Sequence, residues 1–359
     1  MEIPGLDLIT ADLAIDLGTV NTMIYRRGRG ISVSEPSLVA IDEVNEEVVA
    51  VGTEALEMVG REAEGVRVVR PVQHGVIAEL NLTQMMLEHF IRKARGIRGR
   101  LSRRVIIGVP SSATEVERNA VREAVHGANV GRVYLVEEGL AAAHGAGVKL
   151  TGPEATMVVD LGGGTTSVAV VARSGIIFSR SERIGGLDMD EAIMQMVRQT
   201  HELIIGERTA ERVKLELGAA MLLDPQQETK VTGRLLDASG SPQHRLASVT
   251  VTHQQVYEAI QPILKKMLAV VEQSMQELPP EAAGDVLTHG ITLTGGTALL
   301  ARMQKRMEED LKVPVRVAEN PTQAVVLGMG RFFDDARLLR QIIRREDVSW
   351  WREYLTATE

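Results

Sequence analysis

The stretch MVVDLGGGTTSVAVVA at residues 157–172 decides the fold. An apolar run ends at Asp160, a glycine-rich turn follows, and a second apolar run begins after Thr166. An earlier stretch, LAIDLGTVNTMIY at residues 13–25, repeats this order. Apolar runs on both sides of a short turn predict a β-hairpin in each place. Because the similarity extends over most of the first half of the chain, we interpret it as the internal duplication of a domain, which predicts two similar lobes.

A third turn, TGGT at residues 294–297, follows another apolar run. Glycines let turn amides approach an anion closely, and threonine or asparagine side chains add neutral donors. Asp16 and Asp160 suit a hydrated Mg²⁺ ion, which prefers carboxylates and phosphate oxygens. Each turn alone is equally consistent with an ordinary strand-to-turn junction, but three together favour a phosphate site. The sequence contains neither Gly-Lys-Ser/Thr nor a strand followed by G-x-G-x-x-G, which excludes a P-loop and a dinucleotide fingerprint.

Length and composition limit the classes of protein that fit. A chain of 359 residues is too long for one simple core and predicts two domains. Its net charge of -8 argues against a nucleic-acid partner, and the absence of cysteine excludes disulfides. We expect no signal peptide in residues 1–10 and no membrane span, because no apolar run reaches about 18 residues. A cytoplasmic location is therefore allowed, and any membrane contact must be peripheral.

The paired hairpins resemble the two phosphate hairpins of the actin, sugar kinase and heat-shock chaperone ATPase superfamily, and within it the MreB family of bacterial actins. Further stretches carry the resemblance across nearly the whole chain: EPS at 35–37, RP at 70–71, GVI at 75–77, VPS at 109–111, EE at 137–138, IGERTAE at 205–211 and GITLTGGTALL at 290–300. The resemblance implies an α/β, actin-like ATPase fold, in which two duplicated lobes with ribonuclease H-like sheets enclose a nucleotide cleft. Lobe I should comprise residues 1–150 and 325–359, with a small insertion at about 38–70. Lobe II should comprise residues 151–324, with a small insertion at about 186–248.

The resemblance also implies the site residues for ATP or ADP with Mg²⁺. Contacts to the nucleotide are expected from Asp16, Gly18, Thr19, Val20, Asn21, Asp160, Gly162, Gly163, Gly164, Glu211, Lys214, Gly295, Gly296, Thr297 and Ala298. Asp16 and Asp160 should hold Mg²⁺ through water. Glu138 and Thr165 should orient the attacking water, since phosphoryl transfer to water depends on positioning and charge neutralisation. Glu138 is also explained as an acid favoured at a helix N-terminus.

Three positions depart from the family pattern. Gly139 stands where a proline commonly follows the glutamate pair, Leu187 stands where an acid is usual, and Thr297 replaces a third glycine. A looser turn at Gly139 would misplace Glu138. Such a displacement would alter hydrolysis, which the resemblance itself implies to be slow.

A cationic segment lies at residues 92–104, which contain seven Lys and Arg residues and no acid. MreB proteins carry a membrane-inserting loop here, so the resemblance implies contact with the anionic inner membrane surface through Arg95, Ile97, Arg98, Arg100, Leu101 and Arg103. An exposed arginine-rich loop and an RNA contact are the alternatives. The tail carries both tryptophans, Trp350 and Trp351, and is either packed on lobe I or forms an interfacial helix.

The resemblance predicts a filament-forming protein whose partners are copies of itself, the membrane and membrane-bound cell-shape and cell-wall synthesis proteins. A chaperone ATPase would need a peptide-binding domain after the ATPase lobes, and the chain ends too soon for one. A small-molecule kinase on the same fold would need a substrate base and sugar-binding loops, which the sequence does not reveal. A DNA-segregation or organelle-positioning filament is the nearest alternative, and fold alone does not separate these functions.

Overall fold

The computed structural model describes residues 10–96, 101–128, 130–173, 175–225, 227–237, 240–335 and 338–340, without the side chains of Leu101, Arg103 and His244. The strands are β1 Thr10–Leu17, β2 Asn21–Arg26, β3 Gly30–Pro36, β4 Val39–Asp42, β5 Glu47–Val51, β6 Val66–Val69, β7 Val72–Gln73, β8 Val76–Ile77, β9 Leu101–Val109, β10 Val130–Glu137, β11 Thr156–Leu161, β12 Thr166–Ala172, β13 Gly175–Glu182, β14 Leu203–Ile204, β15 Glu228–Leu236, β16 Pro242–Thr252, β17 Ile291–Thr294 and β18 Val315–Val317. The helices are α1 Thr53–Met58, α2 Leu80–Arg95, α3 Glu115–His126, α4 Glu138–Gly145, α5 Gly186–His201, α6 Glu207–Leu217, α7 His253–Gln276, α8 Pro280–His289, α9 Met303–Leu311 and α10 Ala324–Phe332.

Two five-stranded sheets form the centres of the two lobes. The first has the order β10-β9-β1-β2-β3 and the second the order β13-β12-β11-β17-β18. In both, the strand that carries the aspartate pairs antiparallel with the next strand and parallel with a later one, β9 or β17. The two sheets therefore have the same arrangement, which confirms the predicted duplication.

The two hairpins also have the same register. Leu17 pairs with Thr22 in the first hairpin, and Leu161 pairs with Thr166 in the second. We call residues 18–21 the first turn and residues 162–165 the second turn. Because the registers match, Asp16 and Asp160 occupy equivalent positions one residue before the end of their strands.

Each lobe packs helices on its sheet through an apolar face. In lobe I, Met86, Leu87, Phe90 and Ile91 of α2 are completely buried against the sheet, as expected for apolar residues at helical spacing. Helix α3 begins with a capping box in which Thr114 and Glu117 satisfy each other's backbone amides. Helix α7 begins in the same way, with Thr252 and Gln255.

Helices α4 and α10 join the lobes. They pack against each other so closely that a Cβ added to Gly328 would lie 1.8 Å from the carbonyl oxygen of Ala141. Their apolar residues form one buried cluster with Ile106 of the first sheet and Val158 of the second. Leu338 and Leu339 belong to the same cluster, while Trp350 and Trp351 lie outside the described residues.

Candidate functional site

The first and second turns line one cavity of about 620 Å³. Every residue that sequence analysis assigned to nucleotide or catalysis lines this cavity except Ala298, which is buried in the core of lobe II. Ala298 therefore packs in this core, behind the third turn (residues 294–297), and does not line the cavity. The sequence also left out several lining residues, namely Met23, Gly75, Gly186, Leu187, Met189, Asp190, Leu215, Glu216, Gly218, Leu223, Gln227, Leu299, Leu300, Ala301, Pro321, Thr322 and Val325.

Backbone hydrogen bonds fix the second turn. Gly162 O accepts from Gly186 N at 3.1 Å and from Thr297 Oγ1 at 3.0 Å. Gly163 O accepts from Leu187 N at 2.8 Å. Because these carbonyls are held by the start of α5 and by the third turn, the second turn is rigid before any ligand binds.

The third turn depends on a glycine in the left-handed region. Gly295 has φ of +84°, and a Cβ there would lie 2.3 Å from Leu161 O. No other residue type fits this close approach to the end of β11. Gly295 N also donates to Pro321 O at 2.8 Å, which ties the turn to the segment leading into α10.

The two lobes touch at the second turn. His74 Nδ1 of lobe I donates to Gly164 O of lobe II at 3.3 Å. Within lobe I, Gly75 N donates to Thr19 Oγ1 at 2.9 Å, which places Thr19 against the same turn. A Cβ on Gly164 would lie 2.5 Å from Thr19 Oγ1. At the rim, Arg70 of lobe I and Glu207 of lobe II form an ion pair of 3.2 Å. The lobes are therefore closed over the cavity.

Three carboxyl groups line the cavity: those of Glu138 and Asp160, which are buried, and that of Asp16, which is half-buried. Burial, and then the charge of Asp160, raises the pKa of Asp16 to about 7. Burial and the charges of Asp16 and Asp160 raise the pKa of Glu138 well above its usual value. Burial raises the pKa of Asp160, although the Thr294 hydroxyl, which donates to Asp160 Oδ1 at 2.7 Å, acts against this. Burial is the largest cause of all three shifts, and the like charges of neighbouring carboxylates add to it at Asp16 and Glu138.

A cation fits this arrangement. A divalent ion would relieve the repulsion between the three carboxylates and the cost of burying them. Within the described part of the chain, no group of three or more acidic, His or Cys side chains is close enough to hold a metal ion by itself. Asp16 and Asp160 are the carboxylates that would hold such an ion, and Mg²⁺, which proteins commonly bind through one or two carboxylates together with substrate phosphates, fits them.

Lys214 marks the other end of the cavity. Its Nζ donates to Asp190 Oδ2 at 2.7 Å and to Gly186 O at 3.0 Å. Glu211 lines the same wall, one helical turn earlier on α6. Two large apolar side chains at this end, Leu215 and Leu299, are 77% and 60% exposed, although both line the cavity. Exposed leucines beside polar groups suit a flat, partly apolar ligand such as a nucleobase.

At Gly139, Leu187 and Thr297, which depart from the family pattern, the local structure of the site is retained. Glu138 remains the first residue of α4 although Gly139 follows it. Leu187 holds the second turn through its backbone amide, which needs no acidic side chain. Thr297 makes a hydrogen bond to Gly162 O that a glycine could not make. These positions therefore keep the turns in place by other contacts.

The predicted membrane role of Arg95 is wrong. Its side chain is buried, and its guanidinium donates to Ser102 Oγ at 2.8 Å and to the carbonyl oxygen of Ala128. Ile97, Arg98 and Arg100 lie outside the described residues, as do the side chains of Leu101 and Arg103. Arg92 is exposed at the end of α2, whereas the charge of the neighbouring Lys93 is paired with Glu35.

Comparison with known proteins identifies the family. A family model described as MreB/Mbl protein matches residues 10–341. The cell shape-determining protein MreB of Escherichia coli (strain K12) is 43% identical over 329 residues, covering 90% of this chain and 93% of that protein. The chain belongs to the MreB/Mbl family. Relatives in this family are named for determining cell shape.

Solved structures agree with this assignment. Crystal structures of MreB5 of Spiroplasma citri bound to ADP and to AMPPNP each match with a TM-score of 0.83, at 28% and 27% identity. They cover 92% and 94% of this MreB/Mbl chain and 100% and 99% of their own chains. A MamK double helical filament shows the same fold with a TM-score of 0.73 at 20% identity, covering 90% of this chain and 99% of its own. The actin-like fold is thereby confirmed.

The pKa of Asp16 leads to a testable effect on stability. A carboxyl with a raised pKa in the folded state favours folding at low pH, and this contribution is lost as the pH rises through about 7. In nucleotide-free and Mg²⁺-free buffer, we expect Asp16 to lower the free energy of unfolding by on the order of 2 kcal/mol between pH 5 and pH 7.5. Urea denaturation of the parent and of Asp16→Asn at both pH values measures this as a difference.

The difference between the two proteins is needed because burial lowers the pKa values of His89 and His144, which gives the opposite slope in the same pH range. Both histidines are present in parent and variant, so their effect cancels. If the free energy of unfolding of Asp16→Asn depends on pH in the same way as that of the parent, the raised pKa of Asp16 does not contribute to stability in this range.

Proposed function

We propose that this MreB/Mbl protein binds Mg-ATP in the cleft, hydrolyses it slowly and polymerises with copies of itself. The filaments would lie in the cytoplasm on the inner face of the cell membrane and would organise cell shape and cell-wall synthesis together with membrane-bound proteins. Residues 1–150 with 325–359 form one lobe of the proposed subunit, and residues 151–324 form the other.

The observation that carries the proposal is the pair of equivalent hairpins that face one cavity lined by the carboxyl groups of Asp16, Glu138 and Asp160. In this proposal, the first turn and residues 162–164 bind the phosphates, while Glu211, Lys214 and the third turn bind the adenosine. Asp16 and Asp160 hold Mg²⁺ through water, and the ion neutralises charge on the phosphates. The relatives bound to ADP and AMPPNP support a nucleotide as the ligand.

The proposed hydrolysis depends on Glu138 and Thr165. Both side chains line the cavity and are less than a tenth exposed, so a water molecule there would be held apart from bulk solvent. Glu138 accepts a hydrogen bond from that water and Thr165 fixes its direction. The high pKa of Glu138 means that its carboxylate form depends on a nearby cation, which couples the reaction to bound Mg²⁺.

Self-assembly is supported by the family. The MamK relative is described as a double helical filament, and the Escherichia coli relative as cell shape-determining. An actin-like subunit that closes on nucleotide presents a different surface from an open one. Assembly would thus follow the nucleotide state.

Membrane contact is proposed for the segment after α2. Among the described helices, none is both long and apolar enough to cross a bilayer. Exposed Arg92, with Arg98, Arg100 and Arg103 beyond it, would be attracted to an anionic leaflet, each cation contributing about 1 kcal/mol. Ile97 and Leu101 would add apolar contact. A filament repeats the segment along one face and gains avidity.

Electron microscopy with Mg-ATP and anionic vesicles tests this proposal. We expect filaments on the vesicles, and we expect co-sedimentation that falls by roughly tenfold when salt rises from 0.05 to 0.5 M, because exposed charges are screened. Arg98/Arg100/Arg103→Ser should abolish most of the salt-sensitive binding, and Ile97/Leu101→Ser a smaller, salt-resistant part.

A matched control is Arg302/Lys305/Lys312→Ser, which removes three cations from lobe II and should leave vesicle binding unchanged. Filaments that form in solution but pellet equally for all variants would remove this segment from the proposal. The absence of filaments under any nucleotide condition would contradict self-assembly.

A further inference from the structure

Asp190 is a buried acid that lines the nucleotide cavity and has no assigned role. It lies on α5 and is 3% exposed. Its Oδ2 accepts from Lys214 Nζ at 2.7 Å, and its Oδ1 is buried without a hydrogen-bond partner in the structure. A buried carboxylate oxygen without a partner is costly and calls for a reason beyond packing.

Lys214 is held by two acceptors. Besides Asp190, Gly186 O accepts from its Nζ at 3.0 Å, and Gly186 N in turn donates to Gly162 O in the second turn. An ammonium group has three N–H donors. With two directed at α5, the third is available to a ligand in the cavity. The ammonium is thereby fixed beside the second turn before a nucleotide enters.

The charge state of this pair suits that arrangement. The groups acting on Asp190 are Lys214, Glu211 on the same helix as Lys214, and Arg70 from lobe I. Burial raises the pKa of Asp190 to about 6, while Lys214 acts to lower it. Asp190 is therefore largely ionised at pH 7.5, and its contact with Lys214 is charge-assisted. Such contacts are about twice as strong as neutral hydrogen bonds.

We propose that Asp190 is a positioning residue for the nucleotide, because it holds the Lys214 ammonium at the point where the remaining N–H meets the ligand. The inference rests on the proposed function, since it assumes that the cavity binds a nucleotide. Asp190 does not contact the ligand in this proposal and acts through Lys214. Without Asp190, the Lys214 side chain would be flexible in the free protein. Nucleotide binding would then have to offset the entropy lost when this side chain becomes ordered, which weakens the binding.

A double-mutant cycle tests this directly. Calorimetric titration with Mg-ATP at pH 7.5 gives the Kd for the parent, Asp190→Ala, Lys214→Met and the double variant. We expect each single variant to bind roughly tenfold more weakly. The double variant should be no weaker than Lys214→Met alone, because residues that act through one another are not additive. An additive loss, or an unchanged Kd for Asp190→Ala, would overturn the inference.

Two further variants separate positioning from a structural role. Asp190→Asn keeps an acceptor for Lys214 and should bind Mg-ATP within about threefold of the parent. Asp190→Ser is too short to reach Lys214, and it replaces Asp190→Ala in the cycle if that variant does not fold. Glu191→Ala removes the neighbouring exposed acid and should leave the Kd unchanged. Loss of binding in Asp190→Asn equal to that in Asp190→Ser would also overturn the inference.

Measuring Mg-ATP binding by the parent protein distinguishes failure of the proposed function from failure of the role proposed for Asp190. If the parent does not bind Mg-ATP, both the proposed function and the role of Asp190 are wrong. If the parent binds and the cycle is additive, only the role of Asp190 is wrong.

Discussion

Glu138→Gln is expected to retain Mg-ATP and to slow its hydrolysis by on the order of 100-fold, the effect typical of a positioned acid or base. The substitution keeps the shape of the side chain and removes its ability to accept a proton. Glu138 is buried at the start of α4, within the electrostatic influence of Asp16 and Asp160. Because the uncharged glutamine oxygen is a weaker hydrogen-bond acceptor than a carboxylate, the attacking water should be oriented less well, which lowers the rate and leaves the affinity nearly unchanged.

Single-turnover release of phosphate from bound ATP measures this effect, with a separate titration for affinity. Glu137→Gln is the matched control, since Glu137 is the adjacent acid and does not line the cavity. Its rate should stay within about threefold of the parent. If Glu137→Gln loses the activity and Glu138→Gln keeps it, the catalytic assignment is wrong.

Gly164→Ala is expected to weaken Mg-ATP binding by at least about 100-fold, a larger effect on affinity than we expect from the substitutions at Asp190 and Lys214. A Cβ on Gly164 would lie 2.5 Å from Thr19 Oγ1 and 3.0 Å from the Cα of His74, both in lobe I. The backbone at His74 cannot move aside as a flexible side chain can. The lobes would therefore be held apart, and the two phosphate turns could not contact one ligand together.

Gly206→Ala is the matched control, because a Cβ there has no neighbour within 4 Å. Gly163→Ala should fall between the two. Its Cβ would meet Val20 Cγ2 at 2.2 Å, and that is a side-chain atom that can shift. Comparable affinities for Gly164→Ala and Gly206→Ala would show that lobe closure at this turn is not needed for binding.

The hairpins and their duplication could be predicted because local patterns encode them. Apolar runs that end in Asp-Leu-Gly place the aspartates at the ends of strands, and the shared register of both hairpins follows from this shared pattern. Membership of Asp190 and Gly186 in the site could not be predicted in the same way. They lie at the start of α5, and only the packing of α5 on the second turn brings them to the cavity.

The wrong prediction for Arg95 has a physical explanation. A run of cations predicts an exposed surface, since burying an unpaired charge is costly. Arg95 nevertheless continues the buried face of α2, four residues after Ile91 and eight after Leu87. Helical spacing was therefore the informative signal. Its guanidinium reaches Ser102 and the Ala128 carbonyl, which makes the burial tolerable.

A crystal structure with Mg-AMPPNP would show whether one nucleotide binds between the two duplicated hairpins. We expect phosphate density between the first turn and residues 162–164, a metal ion joined through water to Asp16 and Asp160, and the base beside Leu215 and Leu299. Nucleotide density at any other place on the protein, with the cavity between the turns filled only by water, would contradict this expectation.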